Sequence, residues 1–95
     1  MSFKLDIQDE AIVELQDAYK WYEDQRIGLG DELVGEIELC LSSISEYPER
    51  YGYIRQSKVY RRMRVSRFPY MVVYEVIENT VTVVSVFNFK RNKQF

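Results

Sequence analysis

Between Arg61 and Tyr74 the chain reads RRMRVSRFPYMVVY, and this stretch narrows the available folds more than any other. Apolar residues recur in every second place on either side of Ser66-Arg67-Phe68-Pro69. Val59, Met63 and Val65 come before it, and Tyr70, Val72, Tyr74 and Val76 follow. A period of two rich in Val and Tyr marks half-buried strands, and a proline between the runs ends one strand and starts the next. Four arginines (Arg61, Arg62, Arg64 and Arg67) fall in seven positions beside that corner, so the sheet carries concentrated positive charge.

A sheet with an apolar face needs a second layer to cover it. The first half of the chain supplies one. Ala11, Leu15, Ala18 and Tyr22 step by four, three and four, with Tyr19 widening the stripe, which predicts a helix from Asp9 to Asp24. Asp9 and Glu10 suit its first turn, where the helix dipole favours carboxylates. Glu14, Asp17 and Lys20 read as its solvated face. Leu33, Ile37, Cys40 and Ile44, with Leu41 beside them, predict a second helix from Asp31 that Pro48 stops near Glu46 or Tyr47. QRIGLG, Gln25 to Gly30, joins the two as a helix-hairpin turn; its Gly-x-Gly lacks the preceding strand and third glycine of a phosphate loop.

Phe3 to Ile7 alternates as a short half-buried strand. Further strands are expected at 59–65, 70–77 and 81–89, with Glu78-Asn79 as a hairpin tip. The last (VTVVSVFNF) is apolar on both faces in its middle, as suits a strand interior to a sheet. Tyr47, Tyr51, Tyr53 and Tyr60 close the bottom of the core with hydroxyls in water; the alternative is a rim at a partner surface. The order β-α-α-β-β-β predicts a two-layer α+β fold, a helical hairpin on one face of a largely antiparallel sheet, with the other face open to a partner. All 95 residues fit one domain.

Charge divides along the chain. Met1 to Glu49 carries three cations against thirteen carboxylates, net −10, and Arg50 to Phe95 ten against two, net +8. Either the two layers attract each other, or a basic face meets an acidic partner. There is no histidine and only one cysteine, Cys40, on an apolar helix stripe. Internal disulfides are thereby excluded, no zinc or haem site is expected, no cofactor is implied, and Cys40 is read as an inert core residue. No apolar run reaches the roughly 20 residues that span a bilayer. MSFKLDIQDE lacks the features of an export signal, so a cytoplasmic protein with no membrane partner is expected.

Taken together, Trp21-Tyr22-Glu23, Gly28-Leu29-Gly30, Pro48, Arg61-Arg62, Arg67-Phe68-Pro69-Tyr70, Tyr74, Phe87-Asn88 and Arg91 resemble the RelE/ParE superfamily of bacterial type II toxins. The nearest likeness is to the ParE-like, plasmid-stabilisation branch, and it runs from Phe3 to Arg91. It implies a toxin neutralised by a cognate antitoxin protein, with DNA gyrase as the inhibited target. The alternative it carries is a RelE-like endoribonuclease acting on mRNA at the ribosome, or an inactive relative that keeps only antitoxin binding. Family members often carry His where this chain has Asn88, in a segment resembling H-x-x-R-x-P; here it reads NFKRNK and the proline is missing. RNA cleavage needs a base, an acid and cations around the phosphorane. Arg61, Arg91, Tyr74 and Lys90 are the residues that a nuclease of this chain would use, and for a binding protein no catalytic residue is assigned. Arg61, Arg62, Arg64, Arg67, Asn88 and Arg91 are the expected partner-binding residues. Glu75 is expected to pair across strands with Arg62 or Arg64.

Overall fold

A computed structural model describes residues 3–91. The elements follow as strand β1 (Lys4–Ile7), helix α1 (Asp9–Gln25), helix α2 (Leu29–Glu46), a 3-10 turn (Pro48–Arg50), and strands β2 (Tyr60–Arg64), β3 (Tyr70–Ile77) and β4 (Thr80–Asn88). The expected order and the two-layer α+β architecture are therefore what the chain adopts. The sheet order is β1-β4-β3-β2, with β4 interior. β2, β3 and β4 pair antiparallel, whereas β1 runs parallel to β4 with Leu5 beside Val81 and Ile7 beside Val83.

Both helices lie on one face of the sheet. Tyr70, Val72 and Tyr74 of β3 and Val81, Val83 and Val86 of β4 meet Ala11, Ala18, Leu33, Ile37, Cys40 and Ile44 in one buried cluster. These are the alternate strand positions and the helix stripes read from spacing alone. Leu5 departs from its expected half-burial, because β1 is an edge strand and leaves it 41% exposed.

The helix hairpin closes on a side chain that belongs to neither turn residue. One Glu23 carboxylate oxygen accepts the Gly28 N–H at 2.9 Å and the other the Gly30 N–H at 3.0 Å. A carboxylate from the end of α1 thus satisfies two of the free donors at the start of α2. Gly28 sits at φ +92, and a Cβ on Gly30 would lie 2.8 Å from the Tyr19 carbonyl oxygen. Because this cap comes from α1, α2 starts at Leu29 rather than Asp31.

β1 covers only part of β4, ending where Ile7 meets Val83. Register then shifts between Val73 and Tyr74, with Ser85 opposite Val73 and Val83 opposite Tyr74. Val84 is the extra residue of this bulge. Beyond it, α1 takes the place that β1 has left. The Glu14 carboxylate accepts the Val86 N–H at 2.9 Å and the Ser85 hydroxyl at 3.0 Å.

Candidate partner-binding site

Strand pleating and the corner separate arginines that are adjacent in sequence. Arg61 and Met63 face the helix side, opposite Tyr74 and Val72; Arg62 and Arg64 face the helix-free side, opposite Val73 and Met71. Arg61 is committed to the chain's own loop. Its guanidinium donates to the carbonyls of Tyr51 (2.6 Å) and Glu49 (3.3 Å) and to the Tyr53 hydroxyl (2.9 Å), and it stacks 4.0 Å from the Tyr53 ring centre. Tyr53 also bridges Arg61 through the backbone, so this loop lines the outer edge of β2.

Arg67 occupies the corner at φ +71, a conformation that swings it back to α2. It donates to Glu32 at 2.6 Å and Glu36 at 3.3 Å, while Arg26 reaches Glu32 from the hairpin turn at 3.2 Å. Hydrogen bonds from Arg67, and then Arg26, hold the Glu32 carboxyl below its ordinary range. The hydrogen bonds to Glu32 and Glu36 raise Arg67 in turn. Its charge is thus answered within the molecule.

Arg62 and Arg64 remain on the helix-free face. Among the described residues the Arg62 side chain has no ion pair or hydrogen bond, and Arg64 lies 5.0 Å from the Phe89 ring centre. The expected ion pair from Glu75 is absent among the described residues, because Glu75 stands opposite Tyr60.

Arg91 and Asn88 meet elsewhere, in a groove of about 380 Å³ between α1 and the ends of β3 and β4. The Asn88 side-chain oxygen accepts the backbone N–H groups of Lys90 (2.9 Å) and Arg91 (3.2 Å) and so turns the chain. Arg91 lies 5.0 Å from the Trp21 ring centre and donates at 3.5 Å to the Tyr70 hydroxyl. Behind it Tyr22 meets the rings of Trp21, Phe68 and Tyr70 edge to face, with centroids 4.9 to 6.1 Å apart. Burial and the neighbouring Tyr70 raise the Tyr22 hydroxyl above its ordinary value, and Arg91 works against that rise.

Of the residues suited to RNA cleavage, Tyr74 is fully buried, and its hydroxyl donates to the Pro48 carbonyl at 2.6 Å. Burial is the first cause of its raised pKa, which Arg61 partly opposes. Lys90 is exposed.

Residues 5–92 match the family described as the ParE toxin of the type II toxin–antitoxin system parDE. The chain belongs to the ParE toxin family. It is a toxin of the type II class. Among solved structures it is similar to a chain of the chromosomal ParDE system of P. aeruginosa, with 13% identity and a TM-score of 0.81, covering 92% of this chain and 96% of that one. A doubly substituted E. coli RelE toxin in the free state gives 22% identity and 0.72, covering 98% and 90%. A chain of the intact E. coli RelBE toxin–antitoxin complex gives 22% and 0.68, covering 90% and 94%. At these identities the likeness is one of fold. No curated protein matches.

In this ParE chain the arginines do not crowd onto one surface, as their spacing suggests they should. Arg62 and Arg64 share the helix-free face, Arg91 joins Asn88 in the α1 groove, and Arg61 and Arg67 serve the chain's own loop and helix. Glu14, Asp17, Trp21 and Tyr70 are among the other residues that line the groove. Three of them are legible in the sequence: Glu14, Asp17 and Trp21 step by three and four along one side of α1. From spacing alone that side reads as a solvated helix face. Tyr47 and Tyr53 are likewise rim residues, 54% and 44% exposed, rather than core. Tyr51 packs against the core. Among the described residues no group of acids and cysteine is placed to hold a metal ion, and no helix is long and apolar enough to cross a membrane.

Proposed function

We propose that this toxin acts by binding a protein target, DNA gyrase, rather than by cutting RNA. A cognate antitoxin neutralises it by laying an acidic segment over Arg62 and Arg64 and reaching the Arg91 groove. One observation carries the first part. The residues suited to cleavage do not converge on a common phosphate: Tyr74 and Arg61 turn to Pro48 and the 49–53 loop, whereas Arg91 is held by Tyr70. Tyr70 lies four residues back along β3, about 13 Å at the rise of a strand. A proton carrier fully buried against a carbonyl has no access to a substrate hydroxyl. The ParE family match supports the same reading, and likeness to chains from toxin–antitoxin complexes supports the antitoxin. A guanidinium pair without intramolecular carboxylates suits an acidic segment that folds as it binds.

Purified protein added to gyrase is expected to block supercoiling and accumulate broken DNA, while mRNA in a translating extract stays whole. Cleaved mRNA beside unaffected gyrase overturns the reading in favour of the ribosome-dependent nuclease. Replacing both Arg62 and Arg64 by Glu is expected to weaken antitoxin binding by about tenfold or more, since charge reversal acts on every ion pair formed there.

A further inference from the structure

A second groove, about 440 Å³, opens where β2 begins and β3 ends. Val59 and Ile77 are 56% and 58% exposed there, and Tyr53 forms part of the same wall at 44%. Three large apolar groups facing water in one hollow are unlike the single exposed hydrophobics of an ordinary surface. The wall is also rigid before anything binds. Arg61 holds Tyr53 by ring and hydroxyl and ties the carbonyls of Glu49 and Tyr51 to β2. An aromatic fixed in this way loses little entropy when it is covered.

Glu49, Glu75 and Glu78 line the groove, and among the described residues none of them makes an ion pair or side-chain hydrogen bond. Of the two cations beside them, Arg61 keeps its charge but has its N–H groups turned to neutral oxygens of its loop, and Lys58 answers at most one carboxylate, so three carboxylates stand against two cations. The chemistry left unanswered is therefore exposed apolar side chains beside carboxylates that have no ion-pair partner among the described residues, with one negative charge in excess.

We propose that this groove is the surface by which the toxin grips its target protein, through an apolar segment of that protein bearing Lys or Arg. The proposal rests on the reading of the chain as a toxin that binds a protein, and it places target and antitoxin at different ends of the molecule. Ile77 lies seven residues beyond Tyr70 on β3, about 23 Å at the rise of a strand, and four beyond Val73, the partner of Arg62, about 13 Å, so an antitoxin over Arg62, Arg64 and the Arg91 groove leaves the Ile77 end uncovered. Neutralisation then works by altering or sterically screening the bound toxin, not by filling the target groove.

Two experiments test this. In the first, Ile77→Asp and Glu78→Lys, both at the hairpin-tip end of the groove, are compared with wild type for growth arrest, antitoxin affinity, thermal unfolding and oligomeric state. Growth arrest is expected to weaken by about tenfold or more while antitoxin affinity stays within about twofold, because a central anchor is removed from one interface and the other is untouched. Unchanged arrest overturns the proposal, as does loss of antitoxin binding in parallel. A wild-type dimer dissolved by these changes also overturns it, because a second copy then occupies the groove. The second experiment is independent of toxicity. Methyl NMR signals of Val59, Val76 and Ile77 are followed while the protein is titrated with an alternating Leu/Lys decapeptide or its Leu/Glu counterpart. The Lys peptide is expected to shift them with at least about tenfold higher affinity, and equal or reversed affinities overturn the proposal. A wild type that arrests no growth would defeat the toxin reading alone, leaving the NMR result to decide this one.

Discussion

At the residue scale, two polar side chains serve structure where a sequence reading assigns them chemistry or leaves them aside. The Tyr74 hydroxyl belongs to the carbonyl of Pro48, in a place closed to water. Tyr74→Phe is expected to cost about 1–2 kcal/mol in denaturant unfolding, the loss of one buried hydrogen bond that leaves its acceptor unpaired. Growth arrest should be unchanged; abolition of activity in a folded variant would restore Tyr74 to the chemistry. Glu23 accepts two N–H groups at the start of α2. Glu23→Ala is expected to destabilise by about 1–2 kcal/mol, as for loss of a helix cap, and Glu23→Gln by less because one acceptor survives. Equal stability of all three in urea would show that water replaces the carboxylate at no loss.

At the scale of elements, the helix hairpin and the corner between β2 and β3 are held by contacts remote in sequence. Gly30 lets α2 approach α1 so closely that a Cβ would stand 2.8 Å from both the Tyr19 ring edge and the Tyr19 carbonyl oxygen. Gly30→Ala is expected to destabilise by about 1–3 kcal/mol through overpacking. Gly35→Ala, on the same helix with nothing within 4 Å of its Cβ, should stabilise by about 0.5–1 kcal/mol through helix propensity. Opposite signs for two identical substitutions in one helix, measured by thermal unfolding, would check the packing directly. The Glu32 network has a pH signature as well. Its folded pKa is depressed, so its contribution is present above the unfolded carboxylate value and is lost as pH falls through the folded one. Glu32→Gln is expected to flatten the acid limb of stability against pH, and high salt should shrink the difference between the two proteins. Periodicity is enough to locate the strands to within about a residue at each end, because side-chain alternation is local. It cannot supply the parallel pairing of β1 or the early start of α2, since both depend on partners far along the chain. The arginines mislead for the same reason: closeness in sequence puts neighbours on opposite faces of a strand, and only the fold shows that Arg61 turns to its own loop and Arg67 to α2.

At the scale of the whole molecule, the acidic half of the chain covers one side of the sheet that the basic half builds. Part of the charge asymmetry is neutralised there, as the Arg67 ion pairs with α2 show, while Arg62 and Arg64 face the other way. Cys40 lies inside the joint between the layers, 3% exposed, and burial pushes its thiol up to about 12. It is therefore a thiol rather than a thiolate across the physiological range, with no path to a reagent unless the helices leave the sheet. In native protein at pH 8 a disulfide reagent is expected to modify Cys40 only through such opening, with a rate that rises with urea in step with global unfolding. Gly30→Ala should accelerate the labelling by the factor that its loss of stability implies, and Gly35→Ala should slow it. Fast labelling of wild type, insensitive to urea and to both substitutions, would mean that the two layers part locally. The sheet could not then serve as the rigid platform that both proposed interfaces require.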